Sequence, residues 1–168
     1  MRAGVALGSN LSDRLQNLFL AREAIVELAD VSPPILSSSI YDTEPVDCEA
    51  AAAQFFNAVL EFGYERQPSE LFRALKTIET SLGRPRDHAR NLSRNIDIDL
   101  LYVDDMEVHD EILHLPHPRM HLRRFVLAPL AEIRPDLVLP NQTKTVRELL
   151  ASADQSAKVT RLTTDWNS

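Results

Sequence analysis

The chain has 168 residues, of which 44% are hydrophobic and 26% charged, a composition typical of a globular domain with a buried core. Its formal net charge of -7 argues against a nucleic-acid scaffold, although a local basic patch can still hold a nucleotide. The single cysteine, Cys48, excludes a disulfide within the chain and fits the cytoplasmic location that we expect. We expect neither a signal peptide nor a segment that could span a bilayer.

The first half of the chain alternates between strand and helix patterns. Ala3, Val5 and Leu7 share one face of a predicted strand, and small residues occupy the other face. Apolar residues at helical spacing then predict a helix from about 11 to 30. Further along, we predict a strand over 35–41, a loop over 42–54, a strand over 55–64 and a helix over 68–83.

The second half begins with a polar, arginine-rich loop over 84–95. A strand is predicted over 96–103, a small hairpin over 108–115, a helix over 122–133 that is bent or interrupted at Pro129, a short helix from Thr145 and a last strand near Val159. This order predicts one α+β domain over 1–168, with a ferredoxin-like βαββαβ core, an antiparallel-rich sheet, helices packed on it and C-terminal additions. Because this fold hosts many functions, the function has to be argued from the site.

Paired aspartates are the sharpest chemical feature of the sequence. Asp97 and Asp99 lie two apart on a predicted strand and therefore share one face, while Ile96, Ile98 and Leu100 share the buried one. Two neighbouring carboxylates repel each other unless a positive group lies between them, and Mg²⁺ meets that need with oxygen ligands. The alternative is a solvated polar face on an edge strand.

The loop that leads into this strand concentrates four arginines, Arg84, Arg86, Arg90 and Arg94. A guanidinium group matches the oxygens of a phosphate, so arginines beside paired carboxylates favour a site for Mg²⁺ and polyphosphate together. The alternative is that they neutralise surface acids, as surface ion pairs often do. The sequence has no glycine-rich Walker loop, so phosphoryl chemistry would depend on metals and arginines.

Blocks of residues in a fixed order extend this pattern along nearly the whole chain: residues 6–10, 41–45, 56–59, 79, 83–84, 94–101, 115–118 and 124–130. Together they resemble the hydroxymethyl-dihydropterin pyrophosphokinases. The resemblance implies transfer of pyrophosphate from ATP, the co-substrate, to 6-hydroxymethyl-7,8-dihydropterin in folate biosynthesis. It also implies two Mg²⁺ ions held by Asp97 and Asp99, with Arg84 and Arg94 binding the phosphates, and these four residues as the catalytic set.

The resemblance implies two further groups of contacts. The ATP-binding group is Glu79, Arg86, Arg90, Ile98, His117 and Arg123, and the pterin-binding group is Gly8, Thr43, Val46, Phe55, Asn57 and Phe125. Phe55 and Phe125 would hold the flat pterin between them, and Asn57 would bind its polar edge. Besides these small molecules, a neighbouring folate-pathway enzyme is a candidate partner, whereas we expect no nucleic acid or membrane partner.

Departures from the family pattern and two rival functions complete the sequence-based picture. Asn91, Leu92 and Ser93 replace the usual small residue and the frequent tryptophan, so we expect this loop to close differently. The rivals are a non-catalytic nucleotide-binding module and an RNA-binding domain of similar topology. The paired aspartates with their arginines disfavour the first, and the acidic net charge disfavours the second.

Overall fold

A computed structural model describes residues 1–45, 53–83, 95–162 and 166. The elements run β1 (Arg2–Ser9), α1 (Arg14–Val26), β2 (Val31–Ser37), β3 (Tyr41–Thr43), β4 (Phe55–Tyr64), α2 (Pro68–Ser81), β5 (Asp97–Val103), β6 (Val108–His109), β7 (His114–Leu115), a 3₁₀ turn (Met120–Leu122), α3 (Arg124–Ile133), α4 (Val146–Ser152) and β8 (Val159–Arg161). The predicted alternation of strands and helices is confirmed, with one extra strand, β3.

The main sheet has the order β5-β1-β4-β3-β8, and β2 pairs with the half of β4 that β3 does not cover. Every pairing in this sheet is antiparallel. Central β1 lies between β5 and β4, and helices follow β1 and β4 in the chain. This arrangement confirms the predicted α+β class and the ferredoxin-like core.

Each face of the sheet packs against helices and carries its own apolar core. On one face, Val5, Leu7 and Ile98 pack with the buried residues of α1 and α2. On the other face, Val59 and Leu101 pack with the apolar side of α3 and with α4. The molecule therefore has three layers, and side chains that leave a strand on the α3 side meet α3 rather than α1.

A bulge in β5 fixes which face its side chains occupy. Gly4 pairs with Tyr102 and Val5 pairs with Leu100, so Leu101 is the extra residue. Before the bulge, Ile98 points into the α1/α2 core, and its neighbours on either side in the chain point to the α3 face. The predicted alternation, with both aspartates on one face and Ile96, Ile98 and Leu100 buried on the other, is confirmed.

The prediction of a single strand over 35–41 is wrong, because the chain forms two strands separated at residues 38–40. At the break, the backbone N–H of Ser38 donates to the carbonyl of Val59 at 2.9 Å. The Ser38 hydroxyl in turn accepts from the N–H of Val59, also at 2.9 Å. A side chain thus replaces one backbone acceptor of the ladder, and β3 continues to Thr43, into the loop predicted over 42–54.

Smaller differences concern the helix ends. Helix α1 begins at Arg14 rather than near residue 11, because the side chain of Asp13 accepts from the N–H of Gln16 at 3.0 Å and caps the helix. Helix α3 is not interrupted at Pro129, while a 3₁₀ turn precedes it. None of the helices in the described ranges is long and apolar enough to cross a bilayer.

Candidate active site

A row of three residues crosses the sheet on the α3 face. Gly8 in β1 pairs with Asp97 in β5 on one side and with Asn57 in β4 on the other. Neighbouring strands lie about 4.8 Å apart, so the outer two residues are separated by only two strand spacings. The register therefore brings a predicted metal ligand, Asp97, close to a predicted pterin-binding residue, Asn57.

The pterin-binding candidates on the strands cluster around Gly8. Asn57 is 8% exposed, and its Nδ2 donates to the hydroxyl of Thr43 at 2.6 Å. A Cβ atom on Gly8 would lie 2.9 Å from Oδ1 of Asn57 and 3.9 Å from Cδ1 of Phe55. Gly8, Thr43, Phe55 and Asn57 are thus neighbours on one part of the sheet. Their binding of a pterin stays a prediction.

Asp99 lies at the centre of three basic side chains. Its Oδ1 is 3.9 Å from Nζ of Lys76. Its Oδ2 is 3.9 Å from Nε2 of His117 and 3.9 Å from Nη1 of Arg123. The carboxylate keeps 30% of its side-chain exposure, so these groups surround a site that solvent still reaches. Such an arrangement suits an anionic ligand bound beside the carboxylates.

His117 is held in one orientation by its own backbone and by its neighbours. Its N–H donates to the carbonyl of Leu101 at 2.7 Å, and its Nδ1 accepts from the N–H of Arg119 at 3.3 Å. Burial lowers the pKa of His117 and outweighs the opposite effect of Asp99. Because Nδ1 accepts the bond from Arg119, Nε2 is the ring nitrogen that faces Asp99 and can donate to a ligand there.

The outer edge of β5 is covered by two side chains of α2. Oε1 of Glu79 accepts from the N–H of Ile98 at 2.6 Å, and Nζ of Lys76 donates to the carbonyl of Ile98 at 2.7 Å. Lys76 also donates to Glu79 at 2.8 Å. Burial raises the pKa of Glu79, and the charge of Lys76 opposes that change. These bonds satisfy backbone groups that an edge strand otherwise exposes.

Two of the predicted ATP contacts, Glu79 and Ile98, lie at this edge. Lys76 lies there too, and the sequence analysis did not single it out. The Ile98 side chain is fully buried and Glu79 is 1% exposed, so both residues have a structural place in the fold. Their contact with ATP stays a prediction. Lys76 was missed because it lies on the solvated side of α2 in the helical pattern. Its spacing of three residues from Glu79 was the available signal.

Phe125 stands at the start of α3, next to the basic cluster. The guanidinium carbon of Arg123 lies 5.4 Å from the centre of the Phe125 ring, and the same side chain reaches Asp99. Arg123 thus links the predicted aromatic contact to the predicted metal ligand. No ring contact joins Phe55 and Phe125 within the described residues. Their predicted sandwich around a pterin stays a prediction.

Several predicted site residues lie outside the described residues: Val46, Arg84, Arg86, Arg90 and Arg94. Among the residues that are described, no group of three or more His, Cys, Asp or Glu side chains forms a metal site. Asp97 and Asp99 supply hard oxygen donors on one face, and Mg²⁺ is commonly held by one or two carboxylates together with water and substrate phosphates. The donor set therefore fits Mg²⁺ that binds with a nucleotide.

Comparisons with known proteins identify the family of this chain. Residues 4–135 match the family model for 7,8-dihydro-6-hydroxymethylpterin-pyrophosphokinase. The chain belongs to this family. The 2-amino-4-hydroxy-6-hydroxymethyldihydropteridine pyrophosphokinase of Bacillus subtilis is 43% identical over 131 residues, which cover 78% of this chain and 77% of that protein. The enzyme of the same name from Methylorubrum extorquens is 39% identical over 155 residues, 92% of this chain and 95% of that protein.

A solved structure shows the same fold at lower sequence identity. A crystal structure of Plasmodium falciparum HPPK-DHPS matches with a TM-score of 0.70 and 15% identity, covering 89% of this chain and 42% of that chain. This protein therefore spans less than half of the longer Plasmodium polypeptide. At this identity, the likeness supports the shared fold of the three-layer core.

Proposed function

We propose that this protein transfers the pyrophosphate group of ATP to the hydroxymethyl group of 6-hydroxymethyl-7,8-dihydropterin and releases AMP, a step of folate biosynthesis. The observation that carries the proposal is the register that sets Asp97, Gly8 and Asn57 side by side. It supports a place for phosphate chemistry directly next to a place for a planar polar ring. Family membership over residues 4–135 names the pterin substrate and the transfer of pyrophosphate.

The reaction needs little covalent help from the protein. The hydroxymethyl oxygen attacks the β-phosphorus of ATP and loses its proton to solvent. The bond from that phosphorus to the oxygen bridging to the α-phosphate breaks, so AMP leaves. Catalysis of this kind comes mainly from positioning and from stabilising the charge that develops. Asn57 would bind the polar edge of the pterin, with Phe55 and Phe125 against its faces.

On the phosphate side, we infer that Asp97 and Asp99 hold two Mg²⁺ ions, which would neutralise charge on the transferring group. Arg123 and His117 would donate to phosphate oxygens, since both lie 3.9 Å from Asp99. Arg84 and Arg94 would add bidentate contacts to the same phosphates. Glu79 and Lys76 hold the β5 edge and so set the position of both aspartates.

A partner and a location belong to the same proposal. The Plasmodium structure is an HPPK-DHPS chain, and this supports association with a neighbouring folate-pathway enzyme. We also propose a cytoplasmic location, in keeping with the single cysteine of the chain. Co-purification with the other folate-pathway enzymes of the source cell would test the association.

Product analysis tests the proposed function. The protein is incubated with ATP, Mg²⁺ and 6-hydroxymethyl-7,8-dihydropterin, and nucleotides and pterins are separated and quantified. We expect AMP and the dihydropterin pyrophosphate in equal amounts, and no AMP when the pterin is omitted. ATP binding without AMP formation would favour the non-catalytic nucleotide-binding module instead. Formation of ADP would show transfer of a single phosphoryl group and would also refute the proposal.

A further inference from the structure

A C-terminal segment joins two separate parts of the candidate pterin site. Residues 154–162, called here the C-terminal clasp, lie beyond the family match, which ends at residue 135. Within the clasp, β8 pairs with β3, and Val159 is the partner of Thr43. The clasp thus runs directly beside one of the predicted pterin-binding residues.

The clasp holds the chain where it leaves β3. The N–H of Glu44 donates to the carbonyl of Lys158 at 3.0 Å. In return, the N–H of Lys158 donates to Oε2 of the Glu44 side chain at 2.9 Å. One residue therefore makes two hydrogen bonds to the clasp, one through its backbone and one through a carboxylate, and the second is charge-assisted.

The clasp also holds the start of α3. Nη1 of Arg124, the first residue of that helix, donates to the carbonyl of Ala157 at 2.9 Å. Phe125 is the next residue. A cavity of about 180 Å³ is lined by Phe125, Glu44, Arg124 and Ala157, among others. Both clasp contacts therefore border the same cavity, with the predicted aromatic pterin contact on its wall.

The end of β8 and the chain beyond it are both anchored to the rest of the fold, so the clasp is a fixed element. Arg161 donates to the hydroxyl of Ser39 at 2.8 Å and to Oε1 of Glu132 at 2.9 Å. Trp166 is fully buried, and its indole N–H donates to the carbonyl of Ser38 at 2.7 Å. A displaced clasp would have to break these contacts or bend between them.

We propose that Glu44 and Arg124 are positioning residues for the dihydropterin: through the clasp, they hold the end of β3 and the start of α3 at the separation that the bound pterin requires. Neither residue needs to touch the ligand. The inference rests on the proposed pterin site. It predicts a selective loss of pterin affinity when the clasp contacts are removed, because two of the three basic side chains at Asp99 are held elsewhere: Lys76 by α2 and His117 by its bond to the Leu101 carbonyl.

The test measures dissociation constants of the dihydropterin and of a non-hydrolysable ATP analogue with Mg²⁺, together with steady-state kinetics. Arg124→Ala and Glu44→Ala should each raise the pterin dissociation constant and KM by about tenfold. The dissociation constant of the ATP analogue and the turnover number at saturation should change less than about twofold. Arg124→Lys should recover most of the pterin affinity, because a single donor suffices for the Ala157 carbonyl. The matched control is Arg147→Ala, which removes the exposed ion pair between Arg147 of α4 and Asp136.

Three outcomes would overturn the proposal. The first is unchanged pterin affinity in both alanine variants. The second is an equal loss of affinity for the pterin and for the ATP analogue. The third is a pterin affinity that Arg124→Lys does not restore. Failure of the wild-type protein to bind the pterin would instead refute the proposed function, which keeps the two ideas distinguishable. In the double variant Glu44→Ala/Arg124→Ala, the pterin dissociation constant should rise by less than the product of the two single fold-changes, because both residues act through the clasp.

Hydrogen exchange on the unmodified protein provides a measurement that needs no variant to fold. Binding of the dihydropterin should slow exchange of the amide N–H groups of Glu44 and Lys158, since the ligand would stabilise the segments that the clasp connects. The ATP analogue alone should leave these amides unchanged. Equal exchange rates with and without the pterin would contradict a clasp that positions the site.

Discussion

Gly8 and Asn57 are partners across β1 and β4, and the absence of a side chain on Gly8 makes room for the Asn57 carboxamide. A Cβ atom at residue 8 would lie 2.9 Å from Oδ1 of Asn57. Gly83 is the only glycine with a positive φ among the described residues. Gly8 is therefore needed for space and not for an unusual backbone conformation.

Replacing Gly8 by alanine tests whether this space serves ligand binding. Because Oδ1 of Asn57 is the end of a side chain that can rotate, Gly8→Ala should fold but displace the carboxamide from its bond to Thr43. We expect the dihydropterin dissociation constant to rise about tenfold, as for loss of one buried hydrogen bond, with little change for ATP. Calorimetric titration of each ligand measures both constants.

Gly4→Ala is the contrasting control on the same strand. A Cβ atom at Gly4 would lie 2.2 Å from Cε1 of Tyr102, a buried ring whose hydroxyl donates to Glu61. This ring cannot move away as easily, so the variant should lose thermal stability. If Gly8→Ala also lost stability while its pterin affinity stayed normal, the Gly8 position would have only a packing role.

The Phe125 ring is predicted to stack on the pterin. Phe125→Ala should raise the dihydropterin dissociation constant by about fivefold to a hundredfold, since stacking on an aromatic ring is worth about 1–3 kcal/mol for a nucleic-acid base. The ATP constant should change far less. Phe19→Leu, at a ring that packs against Trp166 on the other side of the sheet, controls for loss of an aromatic group. Equal weakening of both ligands would assign Phe125 to packing.

Local periodicity was sufficient for part of this site. The alternation at 96–100 correctly placed both aspartates on one face, because the side-chain period of a strand does not depend on its partners. The break between β2 and β3 had no such signal. It depends on the bond between Ser38 and Val59, which are 21 residues apart in the chain. A contact of that range cannot be read from the spacing of apolar residues.

Lys76 shows the same limit within the site itself. Its contacts with Ile98 and Asp99 exist only because α2 packs along the outer edge of β5. The row of Asp97, Gly8 and Asn57 likewise depends on strand register, which a single strand pattern does not specify. The strand pattern singled out Asp97 and the family resemblance added Gly8 and Asn57, while only the pairing shows that the three are neighbours.

Lys76→Met tests the support of the β5 edge. The change leaves the Ile98 carbonyl without the Lys76 donor and removes the Lys76 charge from the buried carboxylate of Glu79, which still accepts from the N–H of Ile98. The free energy of unfolding should therefore fall by about 1–3 kcal/mol. Urea denaturation measures this value. Lys144→Met, at an exposed lysine before α4, should change it by less than about 0.5 kcal/mol. Equal stability of the two variants would show that other groups hold β5 in place.

The paired carboxylates of Asp97 and Asp99 carry the central claim, that this face of the sheet holds metal and transfers pyrophosphate. The most direct test is AMP formation from ATP and the dihydropterin by Asp97→Asn and Asp99→Asn, with Asp105→Asn as an exposed control. We predict that each site variant keeps its fold and loses more than about a hundredfold in turnover, with weaker Mg²⁺-dependent binding of the ATP analogue. Turnover within about tenfold of wild type, a loss below about 1.4 kcal/mol of transition-state stabilisation, would contradict the account.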